Sequence, residues 1–347
     1  MKANWKACLF ICLILGGCKT KTPPPAAPPI RAEQPELTQE EPPEPAPVAP
    51  ESSPDSISVS YQPQRSLSDF SGKLPAIKSG PAFGVNIGEI NPVNYQKADP
   101  AVLRQMGVDQ YLISFFSAEQ QYRAGDYDTA IAEYNRSISL KADFSEAFIS
   151  RGNSWLKKGD AGRAIEDYTR SLKINNDRAE VYNYRGYAHA ERGETSRAIE
   201  DYSQAIKLKA DYTDALINRA WAFYESGDWD RVIEDCTRII RLEPRNAAAL
   251  NRRGSAWYRK EDDDKAIADF SEAIKIKPDY ALAYHNRGNA WFNKGDFDKA
   301  LADLNRALAL DPTFAGAYIS RGNILQLLGN GESAAADFAA AEQIKAR

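Results

Sequence analysis

One spacing governs this chain: between Tyr111 and Arg347 the sequence repeats every 34 residues. Pro244, Pro278 and Pro312 stand 34 apart. Gly152, Gly186, Gly254, Gly288 and Gly322 keep the same beat, with Ala220 at the missing step. So do Ala130, Ala164, Ala198, Ala266, Ala300 and Ala334. A fixed period of this length predicts stacked supersecondary units, each contacting its neighbours, rather than a single globular core. Such architectures present extended binding surfaces, and a catalytic centre is not expected in them.

Each unit reads as two helices joined by a short turn. In the second unit the helices are expected near residues 145–158 and 161–174. Gly152 and Ala164 have almost no side chain and allow the two helices to approach closely. Gly159 falls at the turn, where a left-handed backbone is least costly for glycine. Glu261 holds that position in the fifth unit, whose turn is therefore expected to be looser. Trp155, Tyr168, Trp257, Phe270 and Trp291 are expected to fill the space between units. Proline, where present, follows the second helix, which it cannot continue.

The residues that carry the beat resemble the tetratricopeptide repeat (TPR) family. The stretch Arg287-Gly-Asn-Ala-Trp-Phe-Asn-Lys-Gly, continuing to Asp311-Pro312, follows the family pattern closely. Units fall at 111–144, 145–178, 179–212, 213–246, 247–280 and 281–314, with a seventh at 315–347. The match is weakest in the first unit, where Ala118 replaces the glycine and Gln121 an aromatic. The resemblance implies an all-α, right-handed α-solenoid of about seven helix-turn-helix units. It departs from the family at position seven of the unit, commonly leucine. Arginine stands there at 151, 185, 219, 253, 287 and 321, followed sixteen residues later by Asp167, Asp201, Asp235, Asp269, Asp303 and Asp337. Either these form a ladder of pairs within each unit, or both are ordinary solvated charges worth little to stability. The first unit, with Ser117 and Glu133, lacks the pair.

The resemblance also implies where partners bind. In the family, the first helix of each unit (helix A) lines the concave groove. Carried onto this sequence, that surface comprises Asn183, Tyr184, Tyr187, Asn218, Trp221, Tyr224, Asn251, Arg252, Tyr258, His285, Asn286, Asn289 and Phe292. The set is aromatic and amide-rich, and Trp, Tyr and Arg are frequent binding hot spots. Its amides could bond to an extended peptide backbone; alternatively the aromatics pack only between units. The Lys/Asn/Arg set that clamps the free C-terminus of a partner is not found.

Ahead of the repeats, Lys2 and Lys6 precede an apolar run over residues 7–15, followed by Leu15-Gly16-Gly17-Cys18. The run is too short to span a bilayer and reads as a secretory signal over residues 1–17. The tetrad resembles a bacterial lipobox, which implies Cys18 as the lipidation site. Lys19, by resemblance to enterobacterial sorting, implies the outer membrane, with the repeats in the periplasm. Residues 18–63 form the lipidated start and a linker. Thirteen of the 20 prolines fall within residues 22–63, a composition that favours extended polyproline II over a core. Residues 64–110 carry little pattern, apart from a capping helical turn expected near residues 101–106.

Of four cysteines, only Cys236 remains beyond Cys18, and it is expected to be a buried small apolar side chain. The net charge of −4 is spread without a basic stripe, so nucleic acid is not an expected partner. No phosphate loop, hydrolase elbow or metal-ligand spacing is present. The expected partners are therefore cell-envelope proteins or peptide segments, with the membrane reached through the lipid and no cofactor. The second expectation is self-association, as a homodimer through the last helix, whose alanine-rich face also carries Phe338 and Ile344.

Overall fold

The computed structural model describes residues 100–105 and 107–346. The signal segment, Cys18, the linker and residues 64–99 lie outside the described residues. Fifteen helices are found among those described, and they account for all of the regular structure there. A short α1 (Pro100–Gln105) precedes seven helix pairs. These are α2 (Gln110–Ala124) with α3 (Tyr127–Leu140), α4 (Ser145–Lys157) with α5 (Ala161–Ile174), and α6 (Ala179–Glu191) with α7 (Thr195–Leu208). Then come α8 (Thr213–Ser226) with α9 (Trp229–Leu242), and α10 (Ala247–Arg259) with α11 (Asp263–Ile276). The last are α12 (Ala281–Asn293) with α13 (Phe297–Leu310), and α14 (Ala315–Leu327) with α15 (Gly331–Lys345). Each helix packs on its successor, so a core runs from one end of the stack to the other. The expected all-α solenoid of seven units is what the chain forms.

Local chemistry sets the helix ends. Five of the second (B) helices start at an aspartate, at 126, 160, 228, 262 and 296. Each side chain accepts from the backbone N–H three residues on, satisfying one of the free donors of the first turn. Asn330 does the same for α15. The A helices of six units are followed by a glycine in the left-handed region, with φ from +72° to +83°. The expectation of a looser fifth turn is not met. Glu261 adopts φ +61°, and Asp262 N–H donates to Trp257 O at 2.9 Å, as Asp160 N–H does to Trp155 O at 2.9 Å. The cap hydrogen bonds and both flanking helices hold the turn closed, and glutamate takes the strain.

The inter-helix glycines are contact points. A methyl group on Gly152 would stand 2.7 Å from Cε1 of Tyr168; one on Gly254 would stand 2.7 Å from Cε1 of Phe270. Both rings are fully buried, so neither can give way. In the fourth unit Ala220 replaces the glycine, and the residue in the ring's place is the small Cys236. Both are fully buried, and burial pushes the thiol pKa up to about 12. The first unit differs again: Ala118 is combined with Tyr134, and the Tyr134 hydroxyl donates to Glu119 at 2.7 Å.

All six Arg–Asp pairs form. In each, Nε and Nη2 of the arginine donate to the two carboxylate oxygens at 2.5–2.9 Å. The aspartates are buried, which separates these fork-to-fork pairs from solvated surface charges. The ladder reaches further than one unit. The third nitrogen, Nη1, donates to a side-chain oxygen on the B helix of the preceding unit: Asn135, Thr169, Ser203, Thr237, Ser271 and Asn305 in turn. Each arginine thus joins two B helices through one guanidinium. The hydrogen bonds to aspartate raise the pKa of Arg185, Arg253, Arg287 and Arg321 above the usual arginine value.

Of the tryptophans expected between units, three stand only half-buried. Each is covered by the cation at position nineteen of its own unit: Trp155 by Arg163 at 4.4 Å, Trp257 by Lys265 at 4.2 Å and Trp291 by Lys299 at 4.3 Å. At the two ends of the described stack the surfaces differ. Leu103 of α1 is 1% exposed against the first unit. On α15 the positions equivalent to Leu301 and Leu308 are Ala335 and Glu342, both exposed, and the neighbouring Leu327 and Leu328 are 62% and 51% exposed.

Candidate protein-binding face

Neighbouring A helices approach one another, α2 with α4, α6 with α8, α10 with α12 and α12 with α14. No two B helices come as close. The A helices are therefore the inner, more tightly spaced layer. Four of the amides expected on this face are turned toward one another. Asn218 Nδ2 donates to Asn183 Oδ1 at 3.0 Å, and Asn286 Nδ2 donates to Asn251 Oδ1 at 3.1 Å. Asn183, Asn218 and Asn251 are buried. Their amides tie adjacent units together, because a buried amide left without a partner is costly.

Tyr184 is also buried, its ring 6.0 Å from that of Tyr168 in the core between units. Asn289 Nδ2 lies 3.2 Å from His285 Nε2, and that nitrogen lies 3.1 Å from Ser320 Oγ. The His285 ring stands 4.7 Å from Phe314. Tyr187, Tyr258 and Phe292 keep partial exposure. Burial and a hydrogen bond to Glu191 raise the pKa of Tyr187 to about 12, and burial raises that of Tyr258. Phe292 stands 5.8 Å from Phe297. Two further residues belong here: Ser255, 3.5 Å from Asn286 Nδ2, and Ser320. Ser255 occupies position nine of its unit, like Tyr187 and Trp221. Its place in the repeat could have marked it where its side chain did not.

One group converges. Trp221 and Tyr224, one helical turn apart on α8, stack with ring centroids 6.2 Å apart and planes 16° from parallel. Arg252, from α10, lies over Trp221 at 4.8 Å. Trp229, at the start of α9, meets Tyr224 edge-on at 5.1 Å. Cation and ring attract through the quadrupole of the indole, and the stacking holds both rings in place. This is an aromatic platform with a cation over one of its rings, a surface suited to binding. Among the described residues, no group of three or more His, Cys, Asp or Glu side chains is placed to hold a metal.

Comparison with known families matches tetratricopeptide repeat models at residues 117–179 and 281–314, and a TPR repeat model at residues 186–227 and 254–295. The chain is a tetratricopeptide repeat protein. A search of curated proteins finds no match. Among solved structures, this TPR protein is similar to a tetratricopeptide repeat protein from Parabacteroides merdae. The identity is 20%, over 67% of this chain and 93% of the other, with a TM-score of 0.55. It is also similar to the C-terminal part of a TPR repeat-containing protein from Cytophaga hutchinsonii, at 17% identity over 66% of this chain and 95% of the other, TM-score 0.57. A third, in the Cut9–Hcn1 hetero-tetramer of the APC/C, has 16% identity over 70% of this chain and 48% of the other, TM-score 0.50. At these identities the likeness is one of fold. Fold and repeats together make this TPR protein a protein-interaction scaffold.

Proposed function

We propose that this protein is a non-enzymatic adaptor that holds a segment of a partner protein along the inner face of its A helices. The observation that carries the reading is the Trp221–Tyr224–Arg252 platform: rigid aromatics and an arginine, the residue types that dominate binding energy at interfaces. Lys2, Lys6, the apolar run to Leu15 and the Leu15–Cys18 tetrad support a place for it. In this reading Cys18 carries lipid at the outer membrane of a bacterial envelope, and the repeats face the periplasm at the end of the proline-rich linker. Two or more acyl chains suffice for such anchoring, at about 0.8 kcal/mol per buried methylene. The linker, at about 3.1 Å per residue in polyproline II, lets the repeats reach on the order of 130 Å from the membrane. The partners are then envelope proteins engaged in assembly or recruitment, such as pilus, secretion or cell-wall machinery. In support of protein partners generally, one of the structurally similar chains occurs in the Cut9–Hcn1 hetero-tetramer.

Photo-crosslinking in membranes tests the reading, with the reactive residue placed at Tyr224, at Phe292 and, on a B helix, at Glu234. Capture of one envelope protein at both inner positions is the expected result. Capture at Glu234 alone would move partner binding to the outer layer. Exposed Leu327 and Leu328 favour a second reading, self-association through the last unit. Sedimentation of the full-length protein and of its Leu327→Ser/Leu328→Ser variant separates the two: a mass that halves in the variant supports self-association.

A further inference from the structure

Arg252 has no counterpart elsewhere among the described residues. It is the only arginine among the buried side chains of the described residues, at 8% exposure. The six ladder arginines each meet a carboxylate. Arg252 meets none among the described residues, and its guanidinium has no hydrogen-bond acceptor there; it lies over the Trp221 ring and near enough to the Cys236 thiol for its charge to oppose the rise in that thiol's pKa. The amides beside it are already committed, Asn218 to Asn183 and Asn251 to Asn286. The guanidinium stands with its carbon 4.8 Å from the centre of the indole. Its N–H groups radiate in the plane, in a fork that matches the two oxygens of a carboxylate. None of its nitrogens is both fully buried and unpartnered, so its N–H groups are open to an acceptor from outside, and a single positive charge calls for a single negative one.

We infer that Arg252 reads a carboxylate side chain, Asp or Glu, in an extended partner segment whose adjacent apolar or proline residue lies on Trp221 and Tyr224. This rests on the inner-face reading above and adds the chemistry of the partner. An aromatic platform selects for apolar and proline residues, and the arginine over it then places an acid beside them. Position six of the neighbouring units holds Asn218 and Asn286, both neutral. The charge is thus read at one point along the stack.

The test is a display library of 12-residue peptides, amide-capped so that side chains provide the only carboxylates, selected against the full-length protein. Recovered peptides are expected to carry Asp or Glu next to an apolar or proline residue. Changing that acid to its amide should weaken binding about tenfold or more. Arg252→Met should bind the acid and amide peptides alike, with the tenfold preference lost. Arg252→Lys should keep part of the preference, as a point charge without the fork. Equal binding of acid and amide peptides, with Trp221→Ala weakening both, would overturn the role of Arg252 and leave the inner face standing. Peptides whose binding ignores both Trp221→Ala and Arg252→Met would overturn the inner face as well, as would a failure to recover any peptide. Recovery restricted to phosphorylated peptides in a parallel library would replace the carboxylate by phosphate and overturn the inference.

Discussion

Consecutive positions on the A helices have opposite histories. Position seven is arginine in units two to seven, and every copy makes the same three-way contact. Position six, one residue earlier, is Ser150, Tyr184, Asn218, Arg252, Asn286 and Ser320 in the same units. The helical turn explains the difference. A step of one residue rotates a side chain by about 100°, from the seam with the B helices to the inner layer. The seam must be the same in every unit because each unit stacks on a copy of itself. The inner layer has no such obligation, and its variation is where one end of the stack can be told from the other. Within one protein, constancy between copies marks packing, and departure from it marks either a compensated contact or a surface free to recognise something.

Breaking the constant side should cost most. Arg219→Ala would leave Asp235, whose side chain is 2% exposed, buried without its partner, at a loss of roughly 3 kcal/mol. Thermal unfolding should show it, and hydrogen exchange should place it in units three to five. A loss below about 1 kcal/mol would mean that the ladder is as idle as a solvated pair.

The next effect is expected where the seam is varied but compensated. Cys236→Tyr restores the ring of other units against Ala220 instead of glycine and should cost about 2 kcal/mol by overpacking. Adding Ala220→Gly should return at least half of it. Simple additivity of the two changes would show that the pair is not coupled, and that the first unit, with Ala118 and Tyr134, is the better guide.

Glu261→Gly should act in the other direction. Removing a side chain from φ +61° relieves strain of about 1–2 kcal/mol, partly offset by the greater freedom of glycine in the unfolded state. A net gain of about 0.5–1 kcal/mol is expected by thermal unfolding. A loss would mean that the glutamate contributes a contact of its own. The smallest effect is expected at Tyr122, whose buried hydroxyl has no partner among the described residues. Tyr122→Phe should not lower stability and should raise it by about 0.5 kcal/mol, since a hydroxyl without a hydrogen bond costs desolvation when buried. A loss above about 1 kcal/mol by the same measurement would indicate that it is bonded in solution.

Legibility follows the same division. The Arg–Asp pairs can be read from a spacing of sixteen residues, because both partners sit within one unit and repeat. Their third contact, to Asn135 or Thr169 on the unit before, cannot: Asn, Thr and Ser alternate there and look like surface polar residues. At Glu261 residue preference alone misleads, because it leaves out the hydrogen bonds that close the turn. The inner face is legible by position alone. Asn183 and Asn251 lie where the family places its binding residues, yet the structure spends their amides on the units next door.

The sequence by itself determined the helices, their length, the order of stacking and the seam, because a period of 34 leaves few ways to bury one apolar face per helix. Only the tertiary structure decided which side chains of the A helices are spent and which are left. That depends on the offset between neighbouring units, which brings Asn286 onto Asn251 but sets Arg252 over Trp221. Such an offset comes from packing between residues about 35 apart, and no local pattern in the sequence encodes it.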